Sequence, residues 1–269
     1  MTDSQKPIGV FDSGLGGLTV VKELLEKMPN ENIIYFGDTA RMPYGDRSKA
    51  TILQYVWDDV HFLLKHDVKA ICIACNTADS MAHAELSQTF SLPIIGVVEP
   101  AARQAVEESR NGKIGVIGTH ATVRSRSYEN AISAVDPGMQ VFPVACPLLA
   151  PLVEEGRFRP GDPVVEEVLR GYFVPLVEQD VDTLILGCTH YPLLYDVIVK
   201  LLPGVKLICS GTASTRSLAR TLSEKGLLNT SQEPRTVRFF VSDAPKRFVR
   251  YGGIFIGRSL EGMVEKVEL

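Results

Sequence analysis

Ala70-Ile-Cys-Ile-Ala-Cys-Asn-Thr77 is the stretch from which the fold can be read. An apolar run from Val68 to Ala74, broken only by Lys69, ends abruptly at Cys75-Asn76-Thr77. A short continuous apolar run of this kind reads as a strand buried on both faces of a parallel sheet. The second half of the chain repeats the arrangement in Thr183-Leu-Ile-Leu-Gly-Cys-Thr-His190. Each copy gives a buried strand, a small residue, a cysteine, then side chains that hydrogen-bond. Ligands of open α/β sheets bind just beyond the carboxyl ends of the strands. Cys75 and Cys188 are therefore expected at two equivalent ligand-binding positions.

Outward from these two strands the chain alternates strands with helices, the mark of βαβ units and a mostly parallel sheet. Ile8-Gly-Val-Phe11 reads as a strand, Asp12-Ser-Gly-Leu-Gly-Gly17 as a glycine-rich turn, and Leu18 to Met28 as an amphipathic helix. Strands are expected at Asn32 to Phe36 and Ile94 to Val98, and helices from Ser48 to Lys65 and from Ala78 to Thr89. From Glu99 the pattern restarts. A helix over Ala101 to Ser109 leads to the strand Lys113-Ile-Gly-Val-Ile-Gly118, which echoes Ile8-Gly-Val-Phe11, and Thr119-His-Ala-Thr122 takes the loop position of Asp12-Ser13. A strand at Val141 to Val144, a helix over Val164 to Glu178 and a strand at Val205 to Ile208 complete the second repeat. The tail reads as a helix (Ser214 to Lys225), a strand (Val237 to Val241) and a final helix capped by Asp243 with Pro245 in its first turn.

The expected architecture is α/β. It has two similar, doubly wound, mostly parallel-sheet domains around a pseudo-twofold axis, with the active site between them. The boundaries are 1–99 plus 211–269 for the first domain and 100–210 for the second. The tail is expected to return and pack on the first domain, because the second repeat is already complete at Ile208.

Composition narrows the function. Hydrophobic content of 45% and charged content of 22% are those of an ordinary soluble globular protein. A net charge of −4 without a Lys/Arg block argues against nucleic acid or an anionic membrane as the main partner. The polar start Met1 to Pro7 is no signal peptide and no apolar stretch reaches the length of a membrane span, so a cytoplasmic protein is expected. Five cysteines, an odd number in no small-scaffold pattern, are expected as free thiols in a reducing compartment.

Taken singly, each cysteine reads as an ordinary buried residue. The matched setting of Cys75 and Cys188 changes that, whereas Cys72 in mid-strand and Cys146 before Pro147 lack it. His190, two residues after Cys188, can exchange a proton with the thiol and so control its thiolate fraction. Asp12, Asp38 and Glu154 stand at strand ends or in loops, where helix capping or solvation is the plainer reading. The glycine-rich turn is either an anion cradle or a tight strand-to-helix connection. Two opposed thiols suit one reaction in particular. Removing a proton from one face of a carbon and delivering one to the other inverts a stereocentre, with base and acid exchanging roles in the reverse direction. The thiol pKa, about 8.5 in reference peptides, is readily tuned for that work.

Gly9-Val-Phe-Asp-Ser-Gly-Leu-Gly-Gly17, Pro43-Tyr-Gly45, Ala74-Cys-Asn-Thr77, Gly118-Thr-His-Ala-Thr-Val123 and Leu186-Gly-Cys-Thr-His-Tyr-Pro192 together resemble the glutamate racemase family over almost the full length. The resemblance implies a cofactor-independent isomerase that interconverts L- and D-glutamate and supplies D-glutamate for peptidoglycan, hence cell-wall biogenesis and cell shape. It implies no metal, a small-molecule substrate and a homodimer. By resemblance Cys75 takes the proton from D-glutamate and Cys188 from L-glutamate, with Asp12, Glu154 and His190 assisting and Asp38 a weaker candidate. Ser13, Pro43, Tyr44, Gly45, Asn76, Thr77, Thr119, Thr122 and Thr189 match the family's substrate contacts. Hydroxyls, Asn76 and helix N-termini would supply neutral donors to the zwitterion, and Asp12 could face its ammonium.

Two departures stand out. Cys209 occupies a position where relatives often carry Asp. The polar start lacks the long N-terminal extension of relatives regulated by a cell-wall precursor, so that activation is not expected. Aspartate racemase, or another amino-acid racemase of the superfamily, is the nearest alternative. A thiol redox protein is a remote one, because Cys72-Ile-Ala-Cys75 matches C-x-x-C but lies in a strand rather than at a helix start. A nucleotide-binding module using the glycine turn is equally remote, having no recognisable base-binding half.

Overall fold

The computed structural model describes residues 2–269; Met1, the first residue of the polar start, lies outside the described residues. The first half runs β1 (Ile8–Asp12), α1 (Leu18–Lys27), β2 (Ile33–Gly37), α2 (Lys49–Leu64), β3 (Ala70–Ile73), α3 (Asn76–Thr89), β4 (Ile94–Ile95) and α4 (Val98–Glu108). The second runs β5 (Lys113–Gly118), α5 (His120–Ser125), α6 (Ser127–Val135), β6 (Gln140–Ala145), α7 (Leu149–Glu154), α8 (Pro163–Glu178), β7 (Thr183–Gly187), α9 (Tyr195–Leu201) and β8 (Lys206–Cys209). α10 (Ser210–Glu224), β9 (Val237–Val241), α11 (Pro245–Ile256) and β10 (Val264–Lys266) follow.

Two sheets form, with strand orders β10-β9-β2-β1-β3-β4 and β6-β5-β7-β8. Every strand pairing is parallel. The orders β2-β1-β3-β4 and β6-β5-β7-β8 are one topology used twice. In each, the chain leaves the first strand in one direction and resumes on its other side, so the crevice opens between β1 and β3 and between β5 and β7. The strands that flank those crevices, β1, β3 and β7, are buried along their whole length, as their apolar runs require. Local signals place several helices. Ser48 caps α2 by accepting the Thr51 N–H, and Asp162 caps α8 with Pro163 in the first turn.

Several elements differ from the sequence reading. The strand expected to run from Ile94 to Val98 stops at Ile95, because the N–H groups of Val97 and Val98 turn away to the Asp79 carboxylate at 2.8 and 2.7 Å and open α4 instead. Thr119-His-Ala-Thr122 is not a loop, since Thr119 caps α5 by accepting the Thr122 N–H. Glu154, expected in a loop, closes the short helix α7. Asp243 does not cap α11: the cap position is Ala244, and the Asp243 carboxylate pairs with Lys266 at 2.8 Å. That lysine belongs to β10, a strand whose Val-Glu-Lys sequence carries no apolar run.

In the tail, β9 pairs with β2 and β10 with β9. α10 starts at Ser210, earlier than expected, and packs on both α1 and α4, so it bridges the two halves. Gly211 makes the α1 contact possible, because a Cβ there would lie 2.9 Å from Val20 Cγ2. Among the described residues no helix is long and apolar enough to cross a membrane.

Candidate active site

Cys75 follows β3 and stands at the N-cap of α3; Cys188 follows β7. Both are buried and both line one cavity of about 410 Å³. Ser13, Pro43, Tyr44, Gly45, Asn76 and Thr77 line it from the first half, and Thr119, Glu154, Cys188, Thr189 and His190 from the second. The segments that the sequence singled out thus converge, although they lie far apart along the chain. Three candidates stand behind the wall. Asp12 is fully buried, with its carboxylate accepting the Gly14 N–H at 2.9 Å and the Thr189 hydroxyl at 3.4 Å. Thr122 and Asp38 are also absent from the lining.

The Cys188 side carries a linear relay. His190 Nδ1 lies 3.8 Å from the Cys188 sulfur, and His190 Nε2 lies 3.0 Å from Glu154 Oε1. Burial by itself would lower the imidazole pKa, but the bonds to Cys188 and Glu154 outweigh it and raise His190 to about 10. At neutral pH the ring is an imidazolium donating toward both partners, and it sets a cation beside the Cys188 sulfur. The ring is further held by Phe255, whose centroid is 5.2 Å away at an interplanar angle of 85°.

The Cys75 side differs. Its thiol is 3.8 Å from Ser13 Oγ. Burial, followed by the Asp12 charge, pushes the thiol up to about 12, offset in part by the Ala78 N–H and the Ser13 hydroxyl. Cys75 is a thiol in the resting protein. The two cysteines therefore sit in opposite electrostatic settings, one beside a carboxylate and one beside a cation.

Thr77 and Thr119, both in the cavity lining, belong to a lattice of hydroxyls. Thr77 Oγ1 is 2.9 Å from Thr119 Oγ1 and 3.3 Å from Thr122 Oγ1, and the two latter oxygens are 3.1 Å apart. The Asn76 side chain is turned away from the cavity. It accepts from Tyr128 Oη at 2.6 Å and donates to Ser210 Oγ at 3.3 Å. The glycine-rich turn is packed rather than open. A Cβ on Gly16 would overlap Thr189 Oγ1 and come within 2.6 Å of His190 Nδ1. Close approach of the turn to the Thr189 and His190 side chains is the reason for glycine there, which favours the tight-connection reading over the anion cradle.

Asp38 belongs to a different cluster. Arg41 Nε, Nη1 and Nη2 reach Asp38 (2.6 Å), Asp58 (2.6 Å) and Asp59 (3.0 Å), and the Tyr44 hydroxyl sits between Asp38 and Asp59. Burial and the Asp38 charge push Asp59 well above the usual carboxylate range, opposed in part by Arg41 and by the Tyr44 hydroxyl, which lies 3.0 Å from Asp59 Oδ2. This cluster fixes the loop that carries Pro43, Tyr44 and Gly45 into the cavity. Cys72 faces Ser214 at 3.6 Å and Cys146 is buried in the core, so neither reaches the cavity. Cys209 is half-buried elsewhere, in the shallow depression beside Pro192 and Phe255.

Sequence reasoning missed Met42, His120, Pro147, Pro151 and Arg247 in the lining. Met42 directly adjoins a segment that was singled out, and His120 lies within one. Arg247 carries no local signal, because its partner is Glu154. Among the described residues no group of three or more His, Cys, Asp or Glu could hold a metal ion.

The chain matches the family model described as Asp/Glu/hydantoin racemase over residues 13–218. It is 47% identical over 266 residues to the glutamate racemase of Neisseria meningitidis, covering 98% of this chain and 97% of that one. Among solved structures, a glutamate racemase from Bacillus anthracis superposes with a TM-score of 0.93 at 40% identity, covering 99% of this chain and 98% of the other. The glutamate racemase of Francisella tularensis in complex with D-glutamate superposes with a TM-score of 0.91 at 38% identity, covering 98% of each.

Proposed function

The chain belongs to the Asp/Glu/hydantoin racemase family, and we propose that it is a cofactor-independent glutamate racemase working by two cysteines on opposite faces of Cα. The observation that carries this reading is the placement of Cys75 and Cys188 at corresponding strand ends of two like-ordered sheets, both lining one cavity. In the L-to-D direction Cys188, as thiolate beside the His190 imidazolium, takes the α-proton, and the Cys75 thiol returns one to the other face. In the reverse direction the roles exchange. The resting charges suit the first of these, with Cys75 protonated and a cation already against the Cys188 sulfur.

Substrate binding follows from the donor set. An α-carboxylate accepts from the Thr77 and Thr119 hydroxyls and from N–H groups at the start of α3, where the helix dipole also favours an anion. Glutamate is favoured over aspartate by the named relatives, which are glutamate racemases at up to 47% identity. The D-glutamate formed would serve peptidoglycan synthesis in the cytoplasm, where five unpaired thiols are stable.

The test is circular dichroism of L-glutamate with purified, dialysed protein in deuterated water and no added cofactor. The expected result is decay to the racemate, with deuterium at Cα of early product and little in recovered substrate. Turnover of aspartate but not glutamate would overturn the substrate. Product retaining its own α-hydrogen, or full activity in a Cys75→Ala or Cys188→Ala variant, would overturn the two-base mechanism.

A further inference from the structure

The Glu154 carboxylate divides its oxygens between two partners. Oε1 lies 3.0 Å from His190 Nε2, while Oε2 lies 3.1 Å from Nη2 of Arg247. Arg247 sits in the first turn of α11, and its side chain is 54% exposed against 13% for Glu154, so the pair closes over the mouth of the cavity. The same helix presses Phe255 edge-on against the His190 ring. α11 therefore touches both members of the pair that faces Cys188. An exposed arginine on a free-swinging helix would orient nothing. Here the helix start is fastened to the first half: Ser242 Oγ donates to Asp38 at 2.9 Å, and Asp243 N–H donates to Thr39 Oγ1 at 2.9 Å.

We propose that Arg247 is a positioning residue, clamping Glu154 from the cavity mouth so that its other oxygen stays on His190 and His190 stays on Cys188. The proposal rests on reading Cys188, His190 and Glu154 as one acid/base side. Glu154 is at the C-terminal end of a helix of six residues, and its carboxylate is held by His190 on one oxygen and Arg247 on the other. Without Arg247 it gains solvent rotamers, the imidazolium loses an acceptor part of the time, and the ring drifts from the sulfur. A misplacement of that kind slows proton transfer at Cys188 and leaves the hydroxyl lattice that binds carboxylate untouched.

The experiment compares Arg247→Met, Arg247→Lys, Glu154→Gln and the Arg247→Met/Glu154→Gln double variant, in both directions, with unlabelled and α-deuterated glutamate. Arg247→Met should lower kcat roughly three- to tenfold with little change in KM, and Arg247→Lys should recover most of the loss. Slower transfer at Cys188 makes the primary isotope effect rise from L-glutamate and fall from D-glutamate, a split that a general structural defect does not produce. The double variant should be little worse than Glu154→Gln alone, because Arg247 acts through Glu154. A raised KM with intact kcat would overturn the proposal, showing instead that Arg247 binds substrate. So would additive losses, or isotope effects that move together. If Glu154→Gln is impaired and Arg247→Met is not, the positioning role falls and the relay stands. If Glu154→Gln is itself unimpaired, the relay reading fails and takes the proposal with it.

Discussion

Thr77 and Thr119 meet across the cavity, hydroxyl to hydroxyl at 2.9 Å, joining the first turn of α3 to the cap of α5. Each half of the molecule thus contributes one member of a single donor pair. On the proposed reading, a substrate carboxylate entering here would replace the mutual bond with one bond from each half. Thr119→Val keeps the shape and removes the hydroxyl. It should raise KM for both enantiomers about ten- to a hundredfold, the worth of roughly one hydrogen bond to a charged group, with kcat changed less. Steady-state kinetics in both directions checks it, and a variant with normal KM would remove Thr119 from the substrate site.

Gly16 is fixed by sterics. A methyl group there overlaps Thr189 Oγ1 and crowds His190 Nδ1, both buried and unable to yield cheaply. Gly16→Ala should cost about 1–3 kcal/mol of stability and, through a displaced imidazole, about a hundredfold in kcat/KM. Gly171→Ala in α8 is the control. A Cβ there meets nothing within 4 Å, and the helix should gain roughly 0.5–1 kcal/mol with unchanged kinetics. Urea denaturation and kinetics on the two variants decide the matter, and equal behaviour would refute it.

Arg41 holds three carboxylates together, two of them fully buried. Arg41→Met removes the cation that all three share and leaves buried Asp38 without it. Breaking a buried pair in this way costs about 3–5 kcal/mol. The loop of Pro43 to Gly45 should loosen with it, so KM should rise along with the fall in unfolding free energy. Unchanged unfolding free energy by denaturant titration would show that the cluster does not hold the loop.

Much of this was legible in the chain. Apolar runs ending in cysteine gave the two crevice strands, and their likeness gave the repeated topology. What escaped depends on partners distant in sequence. Val97 and Val98 look like strand, and only Asp79, in the first turn of α3, turns them into a helix start. The stretch around Ser210 shows no helical signal until Ser214, yet burial against α1 extends α10 backwards to it. Val264-Glu-Lys266 has too little apolar content to read as a strand, and pairing with β9 alone makes it one. Asp38 reads as a candidate site residue, but its role is settled by Arg41, Tyr44 and Ser242, which no spacing reveals. Arg247 is invisible for the same reason.

The final prediction concerns the charge on His190. Burial works against the imidazolium, while Cys188 and Glu154 hold it, leaving a pKa of about 10. Imidazole resonances of His190 should therefore show a protonated ring through neutral pH and titrate only near 10, and Glu154→Gln should move that titration down. The sign for stability follows from linkage. The folded pKa lies above the unfolded value of about 6.5, so the folded state binds the proton more tightly. The resulting stabilisation is fully present below about pH 6.5 and is lost as pH rises through about 10. The difference in unfolding free energy between the wild type and Glu154→Gln should then be largest in mild acid and shrink steadily toward pH 10. Activity adds a second readout. The pH dependence of kcat/KM should be bell-shaped, its limbs reporting macroscopic values of the coupled groups rather than one residue each. Because two enantiomers in achiral water have equal free energy, kcat/KM must be identical in the two directions at every pH and for every variant. A His190 ring that titrates near 6.5 in the wild type would sink the relay as drawn, since a neutral ring places no cation beside the Cys188 sulfur.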